Sequence, residues 1–252
     1  MTTITKNQTT IVMKPIFKLG TLKQRFWRAL LSNPDSYISR KVISFSSYIE
    51  EMKWKKRLQN AGVSKVYEIF TYTNINELRA LYRLASSCPQ GAVALEIGSH
   101  FGASSCYISA GLAKVNGHLF CVDTWHNETM AEGEQDTFAD FQKNTYGVKQ
   151  QITPVRKKSD AVSTQDIKVP LNFVFIDGDH SYEAVKSDFE LVQQWLAKDG
   201  IIAFHDFSNP DYEGVTRVIG EALVSGKWKI VGYVDTLVWI KPATWNKPIW
   251  VK

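Results

Sequence analysis

The 252-residue chain predicts an α/β protein: a doubly wound, mostly parallel sheet with helices on both faces, preceded by a basic helical extension. Three observations predict it. From residue 74 onward, short apolar runs of strand length alternate with segments whose apolar residues recur at helical spacing. Turn-forming pairs such as Asn116-Gly117 and Asp199-Gly200 separate them. The last two apolar runs have no helix between them, which fits an antiparallel hairpin at a sheet edge.

Residues 1–15 are polar and Thr-rich and read as frayed. From residue 16 to 57, aromatics (Phe17, Phe26, Trp27, Tyr37, Phe45, Tyr48, Trp54) mix with Lys and Arg, and Pro34-Asp35 divides the stretch into helices at 20–32 and 36–58. Residues 76–84 form a helix with Leu78, Leu81 and Leu84 on one face, ended by Pro89-Gln90-Gly91. A buried strand follows at 92–97, then a helix at 104–113 and a strand at 118–122. A helix at 136–146 precedes a strand at 152–155, and 127–147 as a whole is polar enough to act as a lid. Residues 173–176 are apolar enough for a central strand. Val185, Phe189, Val192 and Leu196 mark a helix over 182–196. A tight turn at 198–200 leads to a strand at 201–204, a helix at 214–223, and two strands at 228–234 and 236–241 joined at Asp235.

Charge divides the chain in the same place as the pattern. Residues 1–65 carry a net charge of +10, and residues 66–252 a net charge of −5. The reading is a basic N-terminal extension or cap over 1–65 and a mildly acidic main domain over 66–252. The extension suits an amphipathic cap; peripheral membrane contact and a part in an oligomer stay open. The acidic main body disfavours a nucleic-acid partner. The 44% apolar content can bury a full core, which excludes a disordered or fibrous chain. Three scattered cysteines, Cys88, Cys106 and Cys121, are too few for a disulfide framework or zinc knuckle and read as small buried hydrophobes. With no secretory apolar core near the start and no run of about 20 apolar residues, the expected location is cytoplasmic.

Open α/β sheets bind ligands at the carboxyl ends of their strands. The first strand ends in Glu96-Ile97-Gly98-Ser99-His100-Phe101-Gly102, and its two glycines would let the backbone approach a ligand. Glu96 suits a ligand carrying positive charge. Asp123, 25 residues beyond Gly98, ends the second strand, where a carboxylate accepts hydrogen bonds from ribose hydroxyls. Trp125 is placed to stack on an adenine. The loop lacks the full G-x-G-x-x-G of a nicotinamide-dinucleotide site, and Glu96 would repel a pyrophosphate. Adenosine at one end and a cation near the other describe S-adenosylmethionine.

The later strands carry more. Asp177-Gly178-Asp179-His180 closes one, and His205-Asp206 closes the next. Adjacent strand ends lie about 4.8 Å apart, so Asp177, His205 and Asp206 can converge on one ion. An oxygen-rich set suits Mg²⁺, Ca²⁺ or Mn²⁺, whereas a transition metal calls for more imidazole or thiolate. Alternatively, Asp179 and Ser181 cap the following helix and the rest is a hydrogen-bonded polar edge.

The segments LEIGSHFGASS, CVDTW and FVFIDGDHSYEAVKSDFELVQQWLAKDGIIAFHDF together resemble the class I S-adenosylmethionine-dependent methyltransferases, most closely the branch with macrolide- and aminocoumarin-sugar O-methyltransferases and cephalosporin-hydroxylase-like proteins. The likeness spans about residues 70–241. It implies a Rossmann-like seven-stranded sheet with an antiparallel last strand. It also implies cofactor contacts from Glu96, Gly98, Gly102, Asp123 and Trp125, with Ser159 and Asp160 near the adenine. In metal-dependent members a strand-end Asp and a following acidic pair hold Mg²⁺, and a His three residues after the first Asp is the base. Asp177, Asp206 and His180 match those positions, and His205 stands where those members have a carboxylate.

The expected activity is methyl transfer to a hydroxyl of a small molecule or sugar, with His180 as general base and Asp179 as the second choice. Of the remaining histidines, His100 is placed to meet the cofactor's carboxylate, and His118 reads as structural. The loop 208–212 is placed to shape the acceptor pocket. Two rivals stand beside this reading: a metal-dependent hydrolase built on Asp177, His180, His205 and Asp206, and a non-catalytic binding protein on the same fold.

Overall fold

A computed structural model describes residues 36–127 and 133–244; the helix expected at 20–32 lies outside them. Seven strands form one sheet: β1 (Val93–Ile97), β2 (His118–Asp123), β3 (Ile152–Arg156), β4 (Leu171–Ile176), β5 (Leu196–Phe204), β6 (Trp228–Val234) and β7 (Leu237–Pro242). Their order is β3-β2-β1-β4-β5-β7-β6. The first five run parallel to one another. β7 is antiparallel to both β5 and β6, so the terminal hairpin folds back and its second strand slots in beside β5. Among the described residues there are six α-helices: α1 (Tyr37–Asn60), α2 (Ile75–Ser86), α3 (Ala103–Leu112), α4 (Phe138–Asn144), α5 (Tyr182–Trp195) and α6 (Glu213–Val224). None in the described residues is long and apolar enough to cross a membrane.

Alternation along each strand sends side chains to two core layers. Phe173 and Phe175 of β4 join Leu81, Leu84, Tyr107 and Ile108 on one side of the sheet. Val174 and Ile176 join Leu95, Val185, Phe189 and Ile219 on the other. Pro154, which cannot donate to a ladder, sits in β3 at the sheet edge. The packing divides the chain into two compact units, 1–53 and 54–252. In the larger unit, Trp54 and Leu58 on the last turns of α1 are fully buried in the first core layer with Val63 and Val66. The Trp54 ring meets Tyr82 edge to face at 5.1 Å.

α2 starts with a capping box. The Asn74 side chain accepts from the Asn76 and Glu77 N–H groups, and Glu77 accepts in return from the Asn74 N–H. The tight turn expected at 198–200 is instead a bulge inside β5. Leu171 pairs with Leu196, but Phe173 already pairs with Ile201, so the extra residues of β5 loop out while the strand continues. The helix expected at 136–146 is confined to α4, and its last turns give way to a 3₁₀ turn at Tyr146–Val148. In the segment 127–147, expected as a lid, Phe141 and Thr145 are buried in the domain, and residues 128–132 lie outside the described residues.

Replacing Trp54 with Ala should lower the unfolding free energy by about 3–5 kcal/mol, since it empties a fully buried aromatic site. Urea denaturation of Trp54→Ala checks this, and a loss under about 1 kcal/mol would show that α1 contributes little to the core.

Candidate active site at the strand ends

β1 and β4 are neighbours, and the chain winds outward from them in both directions. That switch in strand order opens a crevice at the carboxyl ends of the central strands. Ile97 pairs with Ile176, and the Asp177 N–H donates to the Ile97 carbonyl at 2.8 Å, so the β1 and β4 loops leave the sheet side by side. Gly98 has φ +84°, and a Cβ there would stand 2.0 Å from the Asp177 carbonyl oxygen. Gly102, φ +89°, faces Phe141 and Thr145 in the same way. Both glycines are thus required by close approach of the protein to itself.

The carboxylates of this half also turn inward. Glu96 is fully buried, and its Oε2 accepts from the hydroxyls of Ser99, at 2.7 Å, and Ser105. Burial raises its pKa, and the surrounding hydroxyls only partly offset that. It braces the β1 loop from beneath, so it is not exposed to a cationic ligand as expected. Asp123 is half-buried at the end of β2. Its Oδ2 accepts from the Ser99 and His100 N–H groups at 2.8 and 2.9 Å, and its Oδ1 from the Trp125 N–H at 2.6 Å. Trp125 is fully buried against Phe138 and Phe141, and its indole N–H donates to the His100 carbonyl. No face of the indole is open, so the expected adenine stacking is corrected: Trp125 shapes the loop from inside. The His100 ring stacks at 6.3 Å on Tyr72, which is exposed. Ser159 lies at a narrow crevice with Leu95, Ile97 and Val122, and Asp160 beside it is exposed.

The other half holds a ring of ionisable groups. Asp177 follows β4, and His205 and Asp206 follow β5, whose Phe204 pairs with Ile176. His205 Nδ1 lies 2.9 Å from Asp206 Oδ2 and 3.2 Å from Asp177 Oδ1. His180 Nε2 lies 3.2 Å from Asp206 Oδ2 and 3.5 Å from Asp177 Oδ1, closing the ring. The four donor atoms all lie within 4.8 Å of one another. Asp206 has φ +58°, and Asn209 donates to its Oδ1 at 2.8 Å. Tyr212 stacks on His180 at 4.2 Å. Asp179 lies outside the ring. It is exposed, and its Oδ1 accepts from the Ser181 N–H, while Ser181 caps α5. The start of the helix has claimed the carboxylate that was the second choice of base.

One member of the cluster escaped the sequence reading. Glu77 Oε2 lies 3.1 Å from His205 Nε2, and its Oε1 accepts from the Thr236 N–H and hydroxyl at 2.8 and 2.7 Å. Its only sequence signal is the capping box, which gives no hint that the side chain also reaches another strand end. Burial alone would raise Glu77, Asp177 and Asp206, but their imidazole and hydrogen-bond partners hold all three below the usual carboxylate range. Burial would lower both histidines, yet Asp177 and Asp206 outweigh it. His180 is pushed up to about 9, and His205 well above its ordinary value. The three cysteines are free, and burial pushes their thiols up, so they are inert fillers as expected.

Residues 95–207 match the model of a family described as a methyltransferase domain. Among solved structures, cofactor-bound Rv0187 from MTB is similar over 75% of this chain and 87% of its own, at 13% identity and a TM-score of 0.54. The O-methyltransferase NovP is similar over 68% of this chain and 81% of its own, at 14% identity and a TM-score of 0.51. The calicheamicin methyltransferase CalS11 is similar over 76% of this chain and 92% of its own, at 17% identity and a TM-score of 0.50. At these identities the likeness is one of fold.

Asp188 on α5 supplies a pH test of this region. Burial raises its pKa to about 6; the Ser159 hydrogen bond opposes this, and the charges of Asp179 and Asp160 add to it. Between pH 4 and 6 the folded chain therefore holds a proton that the unfolded chain has lost, so this contribution to stability falls as pH rises. Relative to Asp188→Asn, the wild type should lose about 2 kcal/mol between pH 4.5 and 7.5. Urea unfolding at both pH values checks this, and parallel behaviour of the two proteins would contradict it.

Proposed function

We propose that this chain, whose residues 95–207 match a methyltransferase-domain model, is a class I S-adenosylmethionine-dependent methyltransferase that methylates a hydroxyl oxygen of a small molecule or sugar, with His180 as general base. The observation that carries the reading is the convergence of Asp177, His180, His205 and Asp206 at the strand ends next to the glycine loop. NovP, one of the structures alike in fold, is an O-methyltransferase, which agrees with an oxygen acceptor.

S-adenosylmethionine supplies a methyl group already activated on a sulfonium, so the protein's work is to align an acceptor and remove its proton. Alignment in near-attack geometry is worth on the order of 7–11 kcal/mol. The Asp123 carboxylate and the β1 loop that it organises are the proposed cradle of the cofactor, with Ser159 and Asp160 at the adenine side. An open pocket of about 590 Å³ beside the ring, lined by Ser208, Asn209, Pro210, Thr216 and Arg217, is the proposed acceptor site. His180 accepts the hydroxyl proton. Between two carboxylates it keeps its own proton up to about pH 9, so it becomes a base only when Asp177 and Asp206 turn to another positive charge.

The residues present fit a divalent cation as that charge. Oxygen and nitrogen donors alternate around the ring at 2.9–3.5 Å. Ligands at right angles around an ion with bonds of about 2.1 Å stand about 3 Å apart. Asp177, His205 and Asp206 would hold the ion, which would lower the pKa of an acceptor hydroxyl.

S-adenosylhomocysteine at about 100 times its dissociation constant should raise the unfolding free energy by about 2.7 kcal/mol, and NAD should leave it unchanged. His180→Ala should keep that response and lose about 10²–10⁴-fold in turnover, with Asp177→Ala also retaining binding and losing turnover. A folded protein indifferent to S-adenosylhomocysteine, or full turnover in both variants, would remove the reading.

A further inference from the structure

We propose that Glu77 fixes His205 as an imidazole ligand, so that the Asp177–His205–Asp206 site takes a divalent transition ion of the Mn²⁺ to Zn²⁺ series in preference to Mg²⁺. The inference rests on the reading that the strand-end ring holds a cation, and it names the chemical class of that ion.

Three observations carry it. His205 is 5% exposed and stands between two sets of acceptors, with Nε2 facing Glu77 at 3.1 Å and Nδ1 facing Asp206 and Asp177 at 2.9 and 3.2 Å. Glu77 cannot turn away, because Thr236 occupies its Oε1 and the Asn74 N–H shares its Oε2. A carboxylate so held takes the Nε2–H of the imidazole, so that Nδ1, which meets Asp206 and Asp177 as an N–H, would turn its lone pair to an ion that displaces that proton. This carboxylate–histidine arrangement orients metal-bound imidazoles in general. The third observation is His180. Its Nε2 is buried and makes no aligned hydrogen bond, although two carboxylates stand within 3.5 Å. Nε2 of His180 and Nδ1 of His205 thus face the same cluster of carboxylates.

The donor chemistry then selects the ion. Mg²⁺ is a hard cation that prefers carboxylates and water, whereas Mn²⁺, Fe²⁺, Co²⁺ and Zn²⁺ accept imidazole readily. The sequence pattern alone read as oxygen-rich. The fold makes it a mixed site by sealing an imidazole into the donor set and removing its freedom to rotate.

The test uses the full chain, stripped by chelator and titrated with Co²⁺ or Mg²⁺ alone by calorimetry, with the visible spectrum of bound Co²⁺ as a second readout. The wild type is expected to bind Co²⁺ about 100-fold or more tightly than Mg²⁺. His205→Asn puts an amide oxygen near the Nδ1 position and should cut that ratio at least tenfold. Glu77→Gln should weaken Co²⁺ by about 10–100-fold and alter its spectrum. Because Glu77 also caps α2, binding of S-adenosylhomocysteine is measured on every variant to show that each is folded. A wild type that discriminates no better than His205→Asn overturns the proposal. So does a wild type that binds S-adenosylhomocysteine but takes up neither ion. Failure of the folded wild type to bind S-adenosylhomocysteine would instead overturn the methyltransferase reading.

Discussion

Glu77 and His205 form a buried carboxylate–imidazole pair that joins three parts of the chain. Glu77 belongs to the first turn of α2, His205 follows β5, and Thr236, in the turn between β6 and β7, fills the remaining carboxylate oxygen. A buried charge is costly unless it is paired and hydrogen-bonded, so each piece constrains the other two. The same pair sets the orientation of the His205 ring, and through its Nδ1 the positions of Asp177 and Asp206. Asp206 in turn holds a left-handed backbone conformation, φ +58°, which its contacts with both imidazoles and Asn209 stabilise.

The opposite half of the crevice uses the same logic with different groups. Glu96 and Asp123 hold the loop after β1 through hydroxyls and backbone N–H groups, and Gly98 lets that loop lie directly on the backbone of Asp177. Non-glycine residues with positive φ gather here as well: His100, Trp125 and Asn127 on one side, Asp206 and Ser208 on the other. Such conformations persist only where the surroundings over-determine them. The two halves meet where Gly98 lies on the backbone of Asp177, so the β1 loop stands beside the ring.

The sheet was largely legible because strand and helix periods differ and the core reads both. β4 shows it most simply: Phe173 and Phe175 point to one layer, Val174 and Ile176 to the other. The bulge in β5 was not legible. Lys198-Asp199-Gly200 is a good turn sequence, and only the pairing of β5 with β4 on one side and β7 on the other keeps the strand running through it. Among site residues, Asp177, His180, His205 and Asp206 were legible because ionisable groups at the ends of apolar strands are conspicuous. The burial of Glu96, inside β1, and of Trp125, just after β2, was not legible, since a residue near the carboxyl end of a strand faces either the crevice or the protein beneath it, and local sequence does not distinguish these.

Composition and spacing alone specified which strands are apolar on both faces, where helices alternate with them, and which acidic and imidazole groups stand at strand ends. Those features depend on neighbours within a few residues, and the physics that reads them is local. Partnership was settled by three-dimensional packing. Glu77 and His205 are 128 residues apart, and Gly98 and Asp177 nearly eighty. Such contacts exist only because the strand order brings β1, β4 and β5 together and because a buried carboxylate must find a donor wherever the fold presents one.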